Sequence, residues 1–229
     1  MSMKGVIFDF NGTMFFDEAF QNESWKTFIE QKIGRDISNN EFQEYIHGRN
    51  ADITLSYFLQ RDFSKQEIRE LEEEKEIIYR GLCIESEDFK LADGLLRFLD
   101  ELVSRGIPHT IATASAWGNV KFFFEHLCLD KWFRLENVVY NDGAIRGKPY
   151  PDIYLKAAEA IKVDIADCVV FEDAKSGIES AAQVGAGKIV GVASMLDSST
   201  LMNLGVSITV ENYDDIDRLN RILQCDETL

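Results

Sequence analysis

Apolar positions follow two different periods along this chain, and the change from one to the other marks its organisation. Val6, Ile7 and Phe8 form a short continuous apolar run that ends in Asp9, and Asn11-Gly12 follows, where glycine frees the backbone for a turn. This predicts a buried strand entering a turn. From about 17 to 86, Trp25, Phe28, Ile29 and Ile33 recur at helical spacing, and further periodic runs cover 42–46, 53–59 and 68–82. The stretch reads as a helical insertion of roughly seventy residues, since compact domains rarely hold structureless connections of more than about fifteen.

Beyond the insertion, strand and helix signals alternate. Helices are expected at 94–105, 118–127, after Pro151, near 176–184 and at 214–223. Strands are expected at 107–112, 138–140, 168–171 and 188–192, with a weaker one at 207–210 and a glycine-containing turn at 142–147. Strands alternating with ten-residue helices predict right-handed βαβ crossovers and a mostly parallel sheet, hence an α/β fold. Ligands of such sheets bind beyond the carboxyl ends of the strands.

Composition narrows the function. With 229 residues, 45% of them hydrophobic, the chain can bury one substantial core and still form a smaller second domain. Three prolines and no low-complexity run argue against disorder, and the acidic cluster at 70–76 lies within a helix-like segment. Forty Asp and Glu against 24 Lys and Arg leave a formal charge of -16, which disfavours nucleic acid and anionic membranes as partners. Cys83, Cys128, Cys168 and Cys225 form no C-x-x-C pair, so reduced thiols are expected rather than disulfides or a zinc site. The opening M-S-M-K-G-V-I-F-D lacks a signal-peptide core, and no run of about 18 apolar residues occurs. These features predict a soluble cytoplasmic protein.

The candidate chemistry lies at the strand ends. Asp9 follows V-I-F, Ser115 follows I-A-T-A, and Glu172-Asp173 follows C-V-V-F. Three carboxylates converging on one sheet edge repel one another unless a hard cation holds them, and Mg²⁺ suits carboxylates combined with phosphate oxygens. Lys148, in G-K-P-Y-P-D, could neutralise a phosphoryl oxygen, while Ser115 and the backbone N–H groups after it, beginning at Ala116, could bind an anion at a helix N-terminus. Each residue also has an ordinary structural reading. Asp9 could be a turn residue and Asn11-Gly12 a type I′ hairpin, Ser115 a helix cap, Lys148 a surface lysine, and Glu172-Asp173 a capping pair.

The order and spacing of the four groups carry a resemblance. F-D-F-N-G-T at 8–13, A-T-A-S at 112–115, G-K-P-Y-P-D at 147–152 and V-F-E-D-A-K-S-G-I-E-S-A at 170–181 resemble the four motifs of the haloacid dehalogenase superfamily. The helical insertion between the first two is similar to the α-helical cap of its β-phosphoglucomutase-like branch. The resemblance implies a Rossmann-like, doubly wound parallel-sheet core, residues 1–14 and 88–229, with an all-α cap at 15–87. It implies Asp9 as nucleophile, Ser115 and Lys148 as phosphate binders, and Asp9, the backbone carbonyl of Asn11, Glu172 and Asp173 as Mg²⁺ ligands. Dehalogenases of the superfamily work without a metal, so Glu172 and Asp173 together favour phosphoryl transfer over dehalogenation.

Two positions depart from the family. Asn11 stands where its phosphatases and phosphomutases usually carry an acid-base Asp, and Gln21 stands at or near a histidine of the sugar phosphomutases. An amide cannot donate and retrieve a proton, so turnover should suffer more than phosphate or metal binding. The expected activity is Mg²⁺-dependent hydrolysis of a small phosphorylated metabolite, a sugar phosphate foremost, through an aspartyl-phosphate. The alternative is a phospho-ligand binding protein weakened in catalysis by Asn11; an altered Asn11, deamidated before Gly12, is a third reading, and the missing acid-base group disfavours a mutase. In the cap, His47, Arg49, Asn50 and Lys65 could meet the leaving group, Arg49 foremost. Trp117 could wall the site, while His109 and His126 are assigned no chemistry.

Overall fold

The computed structural model describes residues 3–47 and 49–224. In chain order these form β1 Gly5–Phe8, α1 Glu18–Ile33, α2 Asn39–Tyr45, α3 Ala51–Leu59, α4 Lys65–Glu85, α5 Leu95–Ser104, β2 His109–Ala116, α6 Trp117–Leu127 and β3 Val139–Asn141. Then come α7 Asp152–Ile161, β4 Cys168–Glu172, α8 Lys175–Gln183, β5 Lys188–Val192, α9 Ser198–Asn203, β6 Ile208–Val210 and α10 Ile216–Gln224. The six strands form one parallel sheet in the order β3-β2-β1-β4-β5-β6. This is an α/β Rossmann-like fold. Buried along their whole length, β1, β4 and β5 carry apolar side chains toward both faces, which is why they read as continuous apolar runs rather than alternating ones.

The described chain divides into two compact units. The first runs up to Phe16 and resumes at Lys90; the second is Asp17–Phe89. These boundaries fall two residues later than those expected from the motifs. In the sheet unit, Phe8, Phe98, Phe171 and Tyr213 pack ring against ring on one face, with centroids 5.1–6.3 Å apart. On the other face Ile7, Val170 and Ile178 pack with Tyr154, Ala157 and Ala158 of α7. The second unit has its own core around Phe28, Ile29, Leu55 and Phe58. Its helices α2 and α4 each start in a capping box, Ser38 with Glu41 and Ser64 with Glu67, the S-x-x-E signature that marks a helix start.

Several expectations need correction. Asn11-Gly12 is no hairpin turn, because β1 pairs in parallel with both β2 and β4 and has no antiparallel partner among the described residues. The strand expected at 107–112 is displaced to His109–Ala116, since Pro108 cannot donate to the ladder and the backbone stays extended through Ser115 and Ala116. Short α9 carries too few apolar positions to show a period, yet Asp197 caps it through Thr200 N–H at 2.9 Å. Cys83 and Cys168 are buried free thiols and Cys128 an exposed one, while Cys225 and Gly48 lie outside the described residues. Among the described residues, no helix is long and apolar enough to cross a membrane.

Candidate active site

The site forms where the strand order reverses. β1 and β4 are neighbours with Phe8 opposite Phe171, and Asp9 N–H donates to the Phe171 carbonyl at 3.0 Å, so Asp9 and Glu172 emerge side by side from one sheet edge. Chains that leave the sheet in opposite directions at such a point open a crevice between them. Lys148, from the loop between β3 and α7, reaches into it, its Nζ 2.5 Å from Asp9 Oδ1 and 2.5 Å from Glu172 Oε1. Glu172 is fixed on both oxygens: Tyr154 donates its hydroxyl to Oε1 at 3.0 Å and Ala174 its N–H to Oε2 at 2.8 Å. Gly177 makes room for this carboxylate, because a Cβ there would come within 1.6 Å of Oε1. Asp173 Oδ1 accepts from Thr13 Oγ1 at 3.0 Å, and Gly12, at φ +73, is needed for the same reason, since a Cβ would meet Asp173 Oδ2 at 2.1 Å.

Charge in this crevice is unbalanced. Asp9, Glu172 and Asp173 are all buried, with one oxygen of each inside a 4.8 Å span, against the single ammonium of Lys148. Burial alone would pull Lys148 down, but Asp9 and Glu172 raise it well above the ordinary lysine value, so it stays charged. Burial, followed by the repulsion of Glu172 and Asp9, pushes Asp173 far above the carboxylate range. Three ionised carboxylates and one ammonium would leave a double negative charge, and their oxygens are hard donors. This donor set therefore fits a divalent cation of the Mg²⁺ type, held by Asp9, Glu172 and Asp173. Lys148→Met should accordingly destabilise the fold by about 3–5 kcal/mol near neutral pH, because it leaves buried carboxylates without their counter-charge. Asp173, raised by burial and its acidic neighbours and lowered by Lys148, binds its proton more tightly folded than unfolded, and more so once Lys148 is lost, so the deficit should shrink as pH falls; urea denaturation at about pH 5 and about pH 8 reads both effects.

A second cluster stands beside the first. Ser115 donates its hydroxyl to Asn11 Oδ1 at 2.8 Å, joining residues 104 positions apart. The cause is a register shift in β2. Ala112 pairs with Val139 and Ala116 with Asn141, so β2 spends two more residues than β3 between the same rungs. Bulges of this kind re-aim side chains at sheet edges, and here Thr113 Oγ1 accepts from Ser115 N–H at 3.1 Å within the bulge. Ala116 precedes α6 in extended conformation, so the first-turn N–H groups of an eleven-residue helix open at this end.

Two hydroxyls from the C-terminal third brace the turn after Asp9. Ser194 donates to the Gly12 carbonyl at 2.5 Å and Tyr213 to the Thr13 carbonyl at 3.2 Å. Thr13, Tyr154, Ser194, Tyr213 and Gly177 were not singled out by sequence reasoning. Of these, Thr13 closes the first motif and Gly177 lies inside the fourth, so both stood within a visible signal. The others act through packing between strand ends distant in sequence.

Residues of the helical unit are placed as follows. Arg49 is exposed, with Nε donating to the Glu44 carbonyl at 3.0 Å; Asn50 is the N-cap of α3 and Lys65 the first residue of α4. Gln21 donates to Asp17 Oδ2 at 3.0 Å and accepts from Lys75 Nζ at 2.6 Å, and Lys75 is itself only 2% exposed. The second departure from the family pattern thus accepts from the buried ammonium of Lys75, which also pairs with Glu76 at 2.7 Å. In the sheet unit, the His109 ring nitrogens lie 2.7 and 2.9 Å from the Ile107 and Trp132 carbonyls, and His126 lies against Phe122.

Comparison with known proteins gives a consistent picture. The family model described as haloacid dehalogenase-like hydrolase matches residues 3–185. The chain is 27% identical over 230 residues to the phosphorylated carbohydrates phosphatase of Thermotoga maritima, covering 96% of this chain and 100% of that protein. It is 29% identical over 189 residues to the β-phosphoglucomutase of Bacillus subtilis, covering 80% of each. Among solved structures, a HAD hydrolase of family IA, variant 3, from Entamoeba histolytica superposes with a TM-score of 0.89 at 35% identity, covering 96% of this chain and 99% of that one.

Proposed function

Since the chain belongs to the haloacid dehalogenase-like hydrolase family, we propose that it is a divalent-cation-dependent phosphatase of a small phosphorylated metabolite, sugar phosphates foremost. The observation that carries this reading is the buried contact of Lys148 with Asp9 and Glu172, beside Asp173. A carboxylate held against an ammonium at a strand end is a nucleophile whose attacking face and anion partner are already aligned. The whole-length similarity to a phosphorylated carbohydrates phosphatase supports the same substrate class.

In this reading Asp9 attacks phosphorus and forms an aspartyl-phosphate, and water then cleaves it. Lys148 turns from the carboxylates to the phosphoryl oxygens as these arrive, and the Ser115 hydroxyl with the N–H groups from Ala116 onward meets the remaining oxygens. Mg²⁺ held by Asp9, Glu172 and Asp173, with the carbonyl of Asn11 as a further ligand, would supply charge stabilisation at those oxygens. Tyr154 keeps Glu172 oriented throughout.

One observation favours a second reading. Asn11 meets Ser115 through an amide oxygen and has no carboxylic proton to give, which suits a phospho-ligand binding protein with little turnover. The same absence weighs against a mutase, which must protonate and deprotonate sugar oxygens in both directions. Phosphate release from a panel of sugar, polyol and acyl phosphates, with Mg²⁺ and with a chelator, tests the proposal. Release that depends on Mg²⁺ is expected, fastest for acyl phosphates, whose leaving groups need no protonation. Tight phosphate binding without release from any member would decide for the binding protein.

A further inference from the structure

The β2 bulge places more than Ser115. Trp117 follows directly after Ala116 as the first residue of α6 and remains 44% exposed, and its ring tilts against Tyr140 of β3 at 5.3 Å between centroids. Ala116 is extended, so the Trp117 Cα lies within roughly 7 Å of the Ser115 Cα. Tyr140 adjoins Asn141, the rung partner of Ala116, on a strand about 4.8 Å away. The backbone positions that carry these two rings therefore lie at the same sheet edge as Ser115. An exposed tryptophan costs solvation, and an indole braced by a second ring offers a flat apolar face suited to another flat face.

We propose that Trp117 and Tyr140 form a stacking shelf that selects phosphomonoesters whose leaving group carries a ring, aromatic or pyranose, over acyclic polyol phosphates. The inference rests on the phosphatase reading for the position of the phosphoryl group and deepens it by naming the leaving group's shape. A ring face pressed on indole loses water from both apolar surfaces, whereas a linear polyol keeps its hydroxyls solvated and has no plane to present. Both residues of the shelf belong to the sheet unit.

The test separates binding from turnover. In an Asp9→Asn background, affinities for inorganic phosphate, glycerol 3-phosphate, glucose 6-phosphate and 4-nitrophenyl phosphate are measured by calorimetry, with and without Trp117→Ala or Tyr140→Ala. At least one ring ester should bind about tenfold tighter than glycerol 3-phosphate. Either alanine should erase that preference, Trp117→Phe should retain it, and inorganic phosphate should bind equally in all variants. The aryl and pyranose arms show which ring is taken. Equal affinity for ring and acyclic esters, or a preference that survives both alanine substitutions, would overturn the shelf. A ring preference in a protein whose parent releases no phosphate from any ester would instead leave the shelf standing and sink the phosphatase reading.

Discussion

Asn11→Asp is expected to raise phosphate release from alkyl phosphomonoesters by ~10²–10⁴-fold, the usual contribution of a positioned general acid-base group. The substitution preserves shape and keeps the acceptor that Ser115 now uses on Asn11 Oδ1. What it adds is a group that can protonate the departing alkoxide and later take a proton from the attacking water. Burial, with the repulsion of neighbouring carboxylates, raises Asp173 above its ordinary value, and the same surroundings would favour the protonated form of a carboxyl at position 11. The gain should be large for alkyl leaving groups and small for acyl phosphates, and parallel kcat measurements on the two classes check it. Equal gains for both would place the effect of residue 11 somewhere other than proton transfer. The Asn11-Gly12 pair should also resist deamidation in the folded protein, because Gly12 N–H, the atom that must attack the amide, donates to Phe15 O at 2.7 Å.

On the proposed aspartyl-phosphate route, Asp9→Asn should reduce phosphate release to below ~10⁻³ of the parent rate, since that route loses its nucleophile while phosphate binding persists. Asp9 touches Lys148 at 2.5 Å, and neutralising the carboxylate removes a competitor for that ammonium. Inorganic phosphate is therefore expected to bind Asp9→Asn at least as tightly as the parent. Calorimetry of phosphate binding and rapid-quench mass analysis of the peptide carrying Asp9 read the two halves of this prediction. A phosphoryl adduct should appear on that peptide in the parent and vanish in the variant. Turnover that survives Asp9→Asn would exclude the aspartyl-phosphate route.

Much of this architecture was legible in the chain. β1, β4 and β5 are buried on both faces, so their apolar runs marked strands without any structural help, and helical apolar spacing marked the insertion. The motif residues Asp9, Lys148, Glu172 and Asp173 lie in one crevice. The roles of Tyr154 and Ser194 were not legible, because each joins the site through one hydroxyl on a partner far along the chain. Local pattern carries no information about such contacts.

Sequence alone determined the parallel α/β order, the helical insertion and the identity of the acids and the lysine, because apolar period and turn chemistry act over a few residues. Tertiary structure decided how those groups meet. It set Lys148 between Asp9 and Glu172 and displaced β2 by two residues so that Ser115 reaches Asn11. It also left Trp117 exposed beside Tyr140. Register, burial and counter-charge depend on strands and helices packed from opposite ends of the chain, and only the folded sheet brings those ends to one edge.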